Sequence, residues 1–139
     1  MLGIILVAHN DLAESIKSVA EHVSGPLPDL LCVSVKPNDD IEEKRNEIAQ
    51  KIQLADKGKG VVLLTDMFGG TPSNLAISLM QEGKVEVISG VNVPMLVKLI
   101  RMRKKSLSEA IDLSAESGRH YIMVASQFLG KKNDSKNNS

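Results

Sequence analysis

Residues 61–74 read Val61-Val-Leu-Leu-Thr65-Asp66-Met-Phe-Gly69-Gly70-Thr71-Pro72-Ser73-Asn74. The continuous apolar run Val61–Thr65 has the pattern of a short strand covered on both faces, and Asp66 closes it. Gly69-Gly70 permits a tight turn in which backbone comes close to a ligand. Thr71 suits a helix N-cap and Pro72 the first helical position, so a helix is expected over Pro72 to Met80. A buried strand that turns straight into a helix is half of a parallel crossover unit.

The same alternation runs outward in both directions. Leu2–Ala8 is an apolar run with strand character, followed by Leu12, Ile16, Val19, Ala20 and Val23 at helical spacing. Asp11 with Glu14 three residues on reads as a capping box, and Gly25-Pro26 with Pro28 ends the helix. Leu30–Val35 reads as a strand, Ile41 to Ala55 as an amphipathic helix broken by Gly58-Lys-Gly60, and Val85–Ser89 as a strand. Helices are expected over Pro94 to Met102 and Leu107 to Ser117, and a last short strand over Tyr121–Ala125. The fold class is α/β: a doubly wound, mainly parallel sheet with helices on both faces. In such sheets ligands sit beyond the carboxyl ends of the strands where strand order reverses. That directs attention to His9-Asn10, Lys36-Pro37, Asp66 to Gly70, and Gly90-Val91-Asn92.

Composition narrows the function. The 139 residues fit one domain, expected over 1–129, and the apolar-free stretch 130–139 is expected to be a disordered polar tail. Lys+Arg and Asp+Glu both number 17, so no net field draws nucleic acid or an anionic membrane. The aromatic residues Phe68, Tyr121 and Phe128 amount to 2%, too few to stack bases or a flavin ring. A single cysteine, Cys32, excludes an internal disulfide. No apolar run approaches about 18 residues, and the first strand lacks the basic flank of a signal peptide, so a cytoplasmic location without membrane insertion is expected.

The chemistry gathers at the strand ends. If the first and third strands are neighbours, Asp66 lies within reach of His9. A carboxylate that accepts one ring N–H fixes the imidazole tautomer and leaves the other nitrogen with its lone pair, which makes a directed nucleophile. Gly69-Gly70 and the following helix end supply free N–H groups and a positive dipole end, and Thr71 and Ser73 add hydroxyl donors. A histidine, an aspartate and an anion-binding turn together point to phosphoryl chemistry on His9. No metal site and no cofactor are expected, because neither His22 nor His120 has partners at ligand spacing.

These segments resemble a known family. Gly3 to His9, Asp66 to Asn74 and Ser89 to Val97 are similar, in sequence and in spacing, to the IIA component of the mannose-type (mannose/fructose/sorbose) sugar phosphotransferase system, over about residues 1 to 125. The resemblance implies four parallel strands with a further antiparallel edge strand, Tyr121–Ala125, and a homodimer formed partly through it. It also implies a phosphohistidine carrier: His9 accepts a phosphoryl group through Nε2 from HPr and passes it to a IIB component. Asp66 would bond Nδ1, Gly69, Gly70 and Thr71 would hold the phosphate, and Met67 and Phe68 would meet partner proteins at the rim. The family usually has glycine where Asn10 stands here. Asn is the residue other than glycine that best tolerates the left-handed conformation, and its side chain is a candidate hydrogen-bond donor to the phosphoryl group. With no IIB domain after the tail, the acceptor is expected to be a separate polypeptide, serving sugar uptake or a regulatory relay.

Other readings stand beside this one. A receiver domain would use Asp66 as its phosphoacceptor, but it needs an acidic pair after the first strand, where Ala8-His9-Asn10 stands. The phosphocarrier subunit of dihydroxyacetone kinase shares the fold and the histidine but differs in the motif after the third strand. A non-catalytic anion- or metabolite-sensing module would bind phosphate at the turn and stay unmodified. Elsewhere, Cys32 and the methionines Met80, Met95, Met102 and Met123 read as core, and His120 as a loop residue. Arg101 with Arg103-Lys104-Lys105 reads as a solvated basic cluster between two helices.

Overall fold

A computed structural model describes residues 1–130. Four strands and five helices alternate along them: β1 (Gly3–His9), α1 (Leu12–Ser24), β2 (Leu31–Val35), α2 (Ile41–Ala55), β3 (Val61–Thr65), α3 (Thr71–Ser78), β4 (Val85–Ser89), α4 (Val93–Arg101) and α5 (Leu107–His120). The strands form one parallel sheet in the order β2-β1-β3-β4.

The apolar strand runs are explained by two cores, one on each face. Side chains alternate across a strand. Leu2, Ile4, Leu6 and Ala8, with Val62, Leu64 and Ile88, therefore face α1, α4 and α5, where Ala13, Ala20, Leu96, Leu99 and Ala110 meet them. Ile5, Val7, Val33, Val35, Leu63 and Val85 face α2 and α3, against Ile48, Ile52, Leu75 and Ala76. Fully burying each large aliphatic side chain contributes about 1.5–3 kcal/mol, so the twin cores dominate the stability.

Several local expectations are corrected. Gly70, not Thr71, is the N-cap of α3, and Thr71 already lies inside the helix. Asp11 stands at the N-cap of α1 without a side-chain cap bond, because its backbone (φ −98°, ψ 15°) lacks the extended geometry a cap requires. The antiparallel strand over Tyr121–Ala125 is absent among the described residues. Tyr121 and Ile122 donate their N–H groups back to the Ser117 and Arg119 carbonyls, continuing α5, and a short helical turn occupies 125–130. A strand needs a neighbouring edge for its ladder, and this segment lies along none in a single copy. Gly130 is the last residue of that turn, and the expected tail from 131 on lies outside the described residues. His120 is the last residue of α5, in edge-on contact with Tyr121, rather than a loop residue.

Arg103 departs most from the sequence reading. It is 8% exposed, its Nε donates to the Leu2 carbonyl at 2.9 Å, and its Nη2 meets Asp29 Oδ2 at 2.8 Å. Its own carbonyl accepts the Leu2 N–H at 2.9 Å. Arg103 thus pins the entry to β1, while Lys104 and Lys105 beside it are exposed. The Asp29 carboxyl is held below the usual range, chiefly by its hydrogen bond from Arg103 against a smaller upward push from burial.

Candidate functional site

Beyond the sheet's carboxyl edge, β1 has β2 on one side and β3 on the other, so strand order reverses there. The β1–β3 register pairs Val7 with Thr65, which brings the next residues of both strands out side by side. His9 and Asp66 therefore converge although they are 57 residues apart. Asp66 Oδ2 lies 2.7 Å from His9 Nδ1 and also accepts the His9 main-chain N–H at 3.0 Å. Asp66 Oδ1 accepts the Met67 N–H at 3.0 Å. Burial pushes the Asp66 carboxyl up, but the hydrogen bonds from the His9 ring and main chain outweigh it and hold the carboxyl below its usual value. An ionised carboxylate only accepts, so Nδ1 carries a proton toward Asp66, and in the neutral imidazole Nε2 is the nitrogen with the lone pair.

The free nitrogen faces the glycine turn. A Cβ built on Gly70 would stand 3.4 Å from His9 Cε1 and 3.6 Å from Nε2. Gly70 has φ +87° and ψ 169°, a conformation open essentially to glycine alone, so this position requires glycine on two counts. α3 starts immediately after it. A helix leaves its first N–H groups without intrahelical partners, and Pro72 has none to offer, so Thr71 and Ser73 contribute those of the first turn. The His9 side chain is 43% exposed and that of Asp66 is 12% exposed: the nucleophile is reachable and its orienting carboxylate is shielded.

The remaining expected residues separate into two groups. Asn10 is exposed and takes φ +51°, a left-handed conformation uncommon outside glycine, with its N–H on the Val35 carbonyl at 2.9 Å. Thr71 is half-buried at the turn, and Met67 and Phe68 are 54% and 79% exposed at the rim. Ser73, by contrast, is fully buried, and its hydroxyl lies 3.4 Å from that of Ser89 rather than opening to the turn. Asn92, flagged by its place after β4, is structural: it caps α4 by accepting the Met95 N–H at 3.0 Å and donates to the Gly118 carbonyl at 2.9 Å. Lys36 is an exposed rim residue, 3.8 Å from Asp11. Cys32 lies half-buried in β2, and burial pushes its thiol up to about 11, as an inert core thiol requires.

One feature of the site was not read from the sequence. Thr65 and Ser89 end β3 and β4, and the Thr65 hydroxyl donates to Ser89 Oγ at 2.7 Å. Both sit opposite one another in the register, so a hydroxyl at the last position of each of two strands was the available signal.

The chain matches the family model of the PTS system fructose IIA component (EIIA-man) over residues 3–115. The chain belongs to the mannose-type EIIA family. It is similar to the PTS system mannose-specific EIIAB component of Escherichia coli K12, with 31% identity over 124 residues, 87% of this chain and 38% of that protein. The chain thus spans about two-fifths of that relative's length. The sorbose-specific EIIA component of Lacticaseibacillus casei is 27% identical over 129 residues, 91% of this chain and 88% of that one. Among solved structures, the phosphotransferase component EIIA from Streptococcus agalactiae superposes with a TM-score of 0.82 at 25% identity, covering 91% of this chain and 99% of that one. As an EIIA family domain it is α/β with an all-parallel four-stranded sheet, and no helix among the described residues is long and apolar enough to cross a membrane.

Proposed function

We propose that the protein is a cytoplasmic phosphohistidine carrier of a sugar phosphotransferase relay. The observation that carries this reading is the His9 ring, with Nδ1 held by Asp66 at 2.7 Å and Nε2 turned to the Gly69-Gly70 turn. The donor is a phosphohistidine on HPr. The Nε2 lone pair attacks its phosphorus; the new P–N bond forms as the donor's P–N bond breaks, and the donor imidazole leaves with that electron pair. No net proton moves at His9, because Nδ1 keeps its hydrogen on Asp66 throughout. The ring becomes cationic as the bond forms, and the adjacent carboxylate stabilises that charge. The phosphoryl oxygens then meet the glycine turn and the first turn of α3, with Thr71 and Asn10 at hand. The reverse attack by a nucleophile on a IIB component empties the site for sugar uptake or a regulatory relay.

Exposed Met67 and Phe68 suit alternating contacts with the two partners. The protein acts as a homodimer in this reading. Tyr121, Ile122, Met123 and Val124 form an exposed apolar run, a surface that a second copy would cover.

Transfer of labelled phosphate from phosphorylated HPr tests the proposal. The wild type takes up one phosphoryl group that is acid-labile and base-stable, and His9→Ala takes up none. A label retained in His9→Ala, or one that is acid-stable, overturns it.

A further inference from the structure

Beneath the glycine turn three hydroxyls meet: Thr65 at the end of β3, Ser89 at the end of β4 and Ser73 in the first turn of α3. Thr65 Oγ1 donates to Ser89 Oγ at 2.7 Å, and Ser89 Oγ lies 3.4 Å from Ser73 Oγ. Thr65 and Ser73 are fully buried, and Ser89 between them is half-buried. The main chain reinforces the same joint, since the Thr65 carbonyl accepts the N–H groups of Gly90 and Val91, both at 3.0 Å. Thr65 spends its proton on Ser89, and either hydroxyl of the Ser89–Ser73 pair can donate to the other, so Ser89 links the end of β3 to the first turn of α3.

The two ends of this joint are the two halves of the site. Thr65 precedes Asp66, which holds the ring from behind. Ser73 stands three residues after Gly70, where an added Cβ would come within 3.6 Å of Nε2. The separation between carboxylate and helix end fixes the gap a phosphoryl group must enter. We propose that Ser89 is a positioning residue for phosphoryl transfer: through Thr65 and Ser73 it sets the first turn of α3 against the His9–Asp66 pair. This rests on the phosphohistidine reading above. Ser89 touches neither ring nor donor; it acts through the turn.

The test compares Ser89→Ala, Ser89→Thr and the isosteric Thr65→Val in single-turnover transfer from phosphorylated HPr, with His9→Ala as control. Misplacement on the ångström scale costs up to about a hundredfold in rate, and a slackened joint is expected to cost about tenfold. Ser89→Ala therefore slows transfer about tenfold with an unchanged KM for HPr, while Ser89→Thr, which keeps the hydroxyl, stays within about twofold of wild type. Thr65→Val loses only the donor, keeps the volume and slows transfer in the same direction, so it carries the test if Ser89→Ala does not fold. A wild-type rate in Ser89→Ala, an equal loss in Ser89→Thr, or an effect confined to KM overturns the proposal. Binding of inorganic phosphate, followed by the amide shifts of Gly70 and Thr71, reads the same geometry without His9 chemistry. It weakens in Ser89→Ala and recovers in Ser89→Thr; equal affinity in all three proteins overturns the proposal. Label persisting in His9→Ala counts against the phosphohistidine reading instead, and the phosphate titration then decides the role of Ser89 alone.

Discussion

Replacing Asp66 by asparagine isolates what the carboxylate does. Three donors face it: the His9 ring and main-chain N–H groups on Oδ2, at 2.7 and 3.0 Å, and the Met67 N–H on Oδ1, at 3.0 Å. A carboxamide has one acceptor oxygen, so its NH2 must face a donor in either orientation. With oxygen toward His9, the tautomer survives and the charge is lost. A hydrogen bond to a charged group contributes about 1.5–3 kcal/mol against about 1 for a neutral one, so about 0.5–2 kcal/mol disappears from the stabilisation of the cationic ring. With nitrogen toward His9, the amide donates to Nδ1, the ring proton moves to Nε2 and the nucleophile is blocked; a wrong tautomer of this kind costs about 10⁴-fold in a serine-protease triad. Each 1.36 kcal/mol is about tenfold in rate, so Asp66→Asn is expected to lower the transfer rate by about 2- to 30-fold with oxygen toward His9 and by far more with nitrogen toward it. The KM for HPr stays constant, because a side chain 12% exposed beneath the ring does not meet the donor. Quench-flow measurement of His9 phosphorylation at several HPr concentrations is the assay. A rate constant within about twofold of wild type, in a protein that melts normally, would refute the orienting role.

Other perturbations separate site from scaffold. Gly70→Ala places a methyl 3.4 Å from His9 Cε1 at φ +87°; it is expected to cost about 1–3 kcal/mol of stability in a denaturant titration and to slow transfer beyond what that loss explains. Arg103→Met leaves the Leu2 carbonyl buried without its side-chain donor and is expected to lower the unfolding free energy by about 1–3 kcal/mol while the transfer rate stays at wild type. Asp29→Asn tests linkage to pH: a depressed folded-state value gives stability that is present above the unfolded value near 3.9 and is lost as pH falls through the folded one. The wild type is therefore more stable than Asp29→Asn at pH 7, by about 0.5–1 kcal/mol for a half-exposed pair, and urea midpoints of the two converge below about pH 4.

Most of the fold was legible because its signals are local. Both-face burial makes the strands read as apolar runs, and the ranges expected for β3, β4 and α2 match the structure. The approach of His9 to Asp66 was legible for the same reason: His9 ends β1, Asp66 follows β3, and parallel neighbours bring strand ends together. What escaped depends on partners far along the chain. Arg103 reads as one basic residue among several until Leu2 and Asp29 are seen beside it, 101 and 74 residues away. Ser73 reads as a hydrogen-bond donor to phosphate from its place in the first turn, yet its hydroxyl lies 3.4 Å from that of Ser89 and is fully buried. The 121–124 segment has strand composition, but its main-chain donors turn back onto α5 where no edge adjoins them.

The central claim is that Nε2 of His9 carries the phosphoryl group while Nδ1 stays protonated on Asp66. Nitrogen-15 spectra of ring-labelled protein, phosphorylated by HPr, read both nitrogens at once. The account predicts phosphorus coupling at Nε2 of His9 and a bonded proton at Nδ1, with His22 and His120 unchanged. Coupling at Nδ1, or on either of the other two histidines, would contradict it.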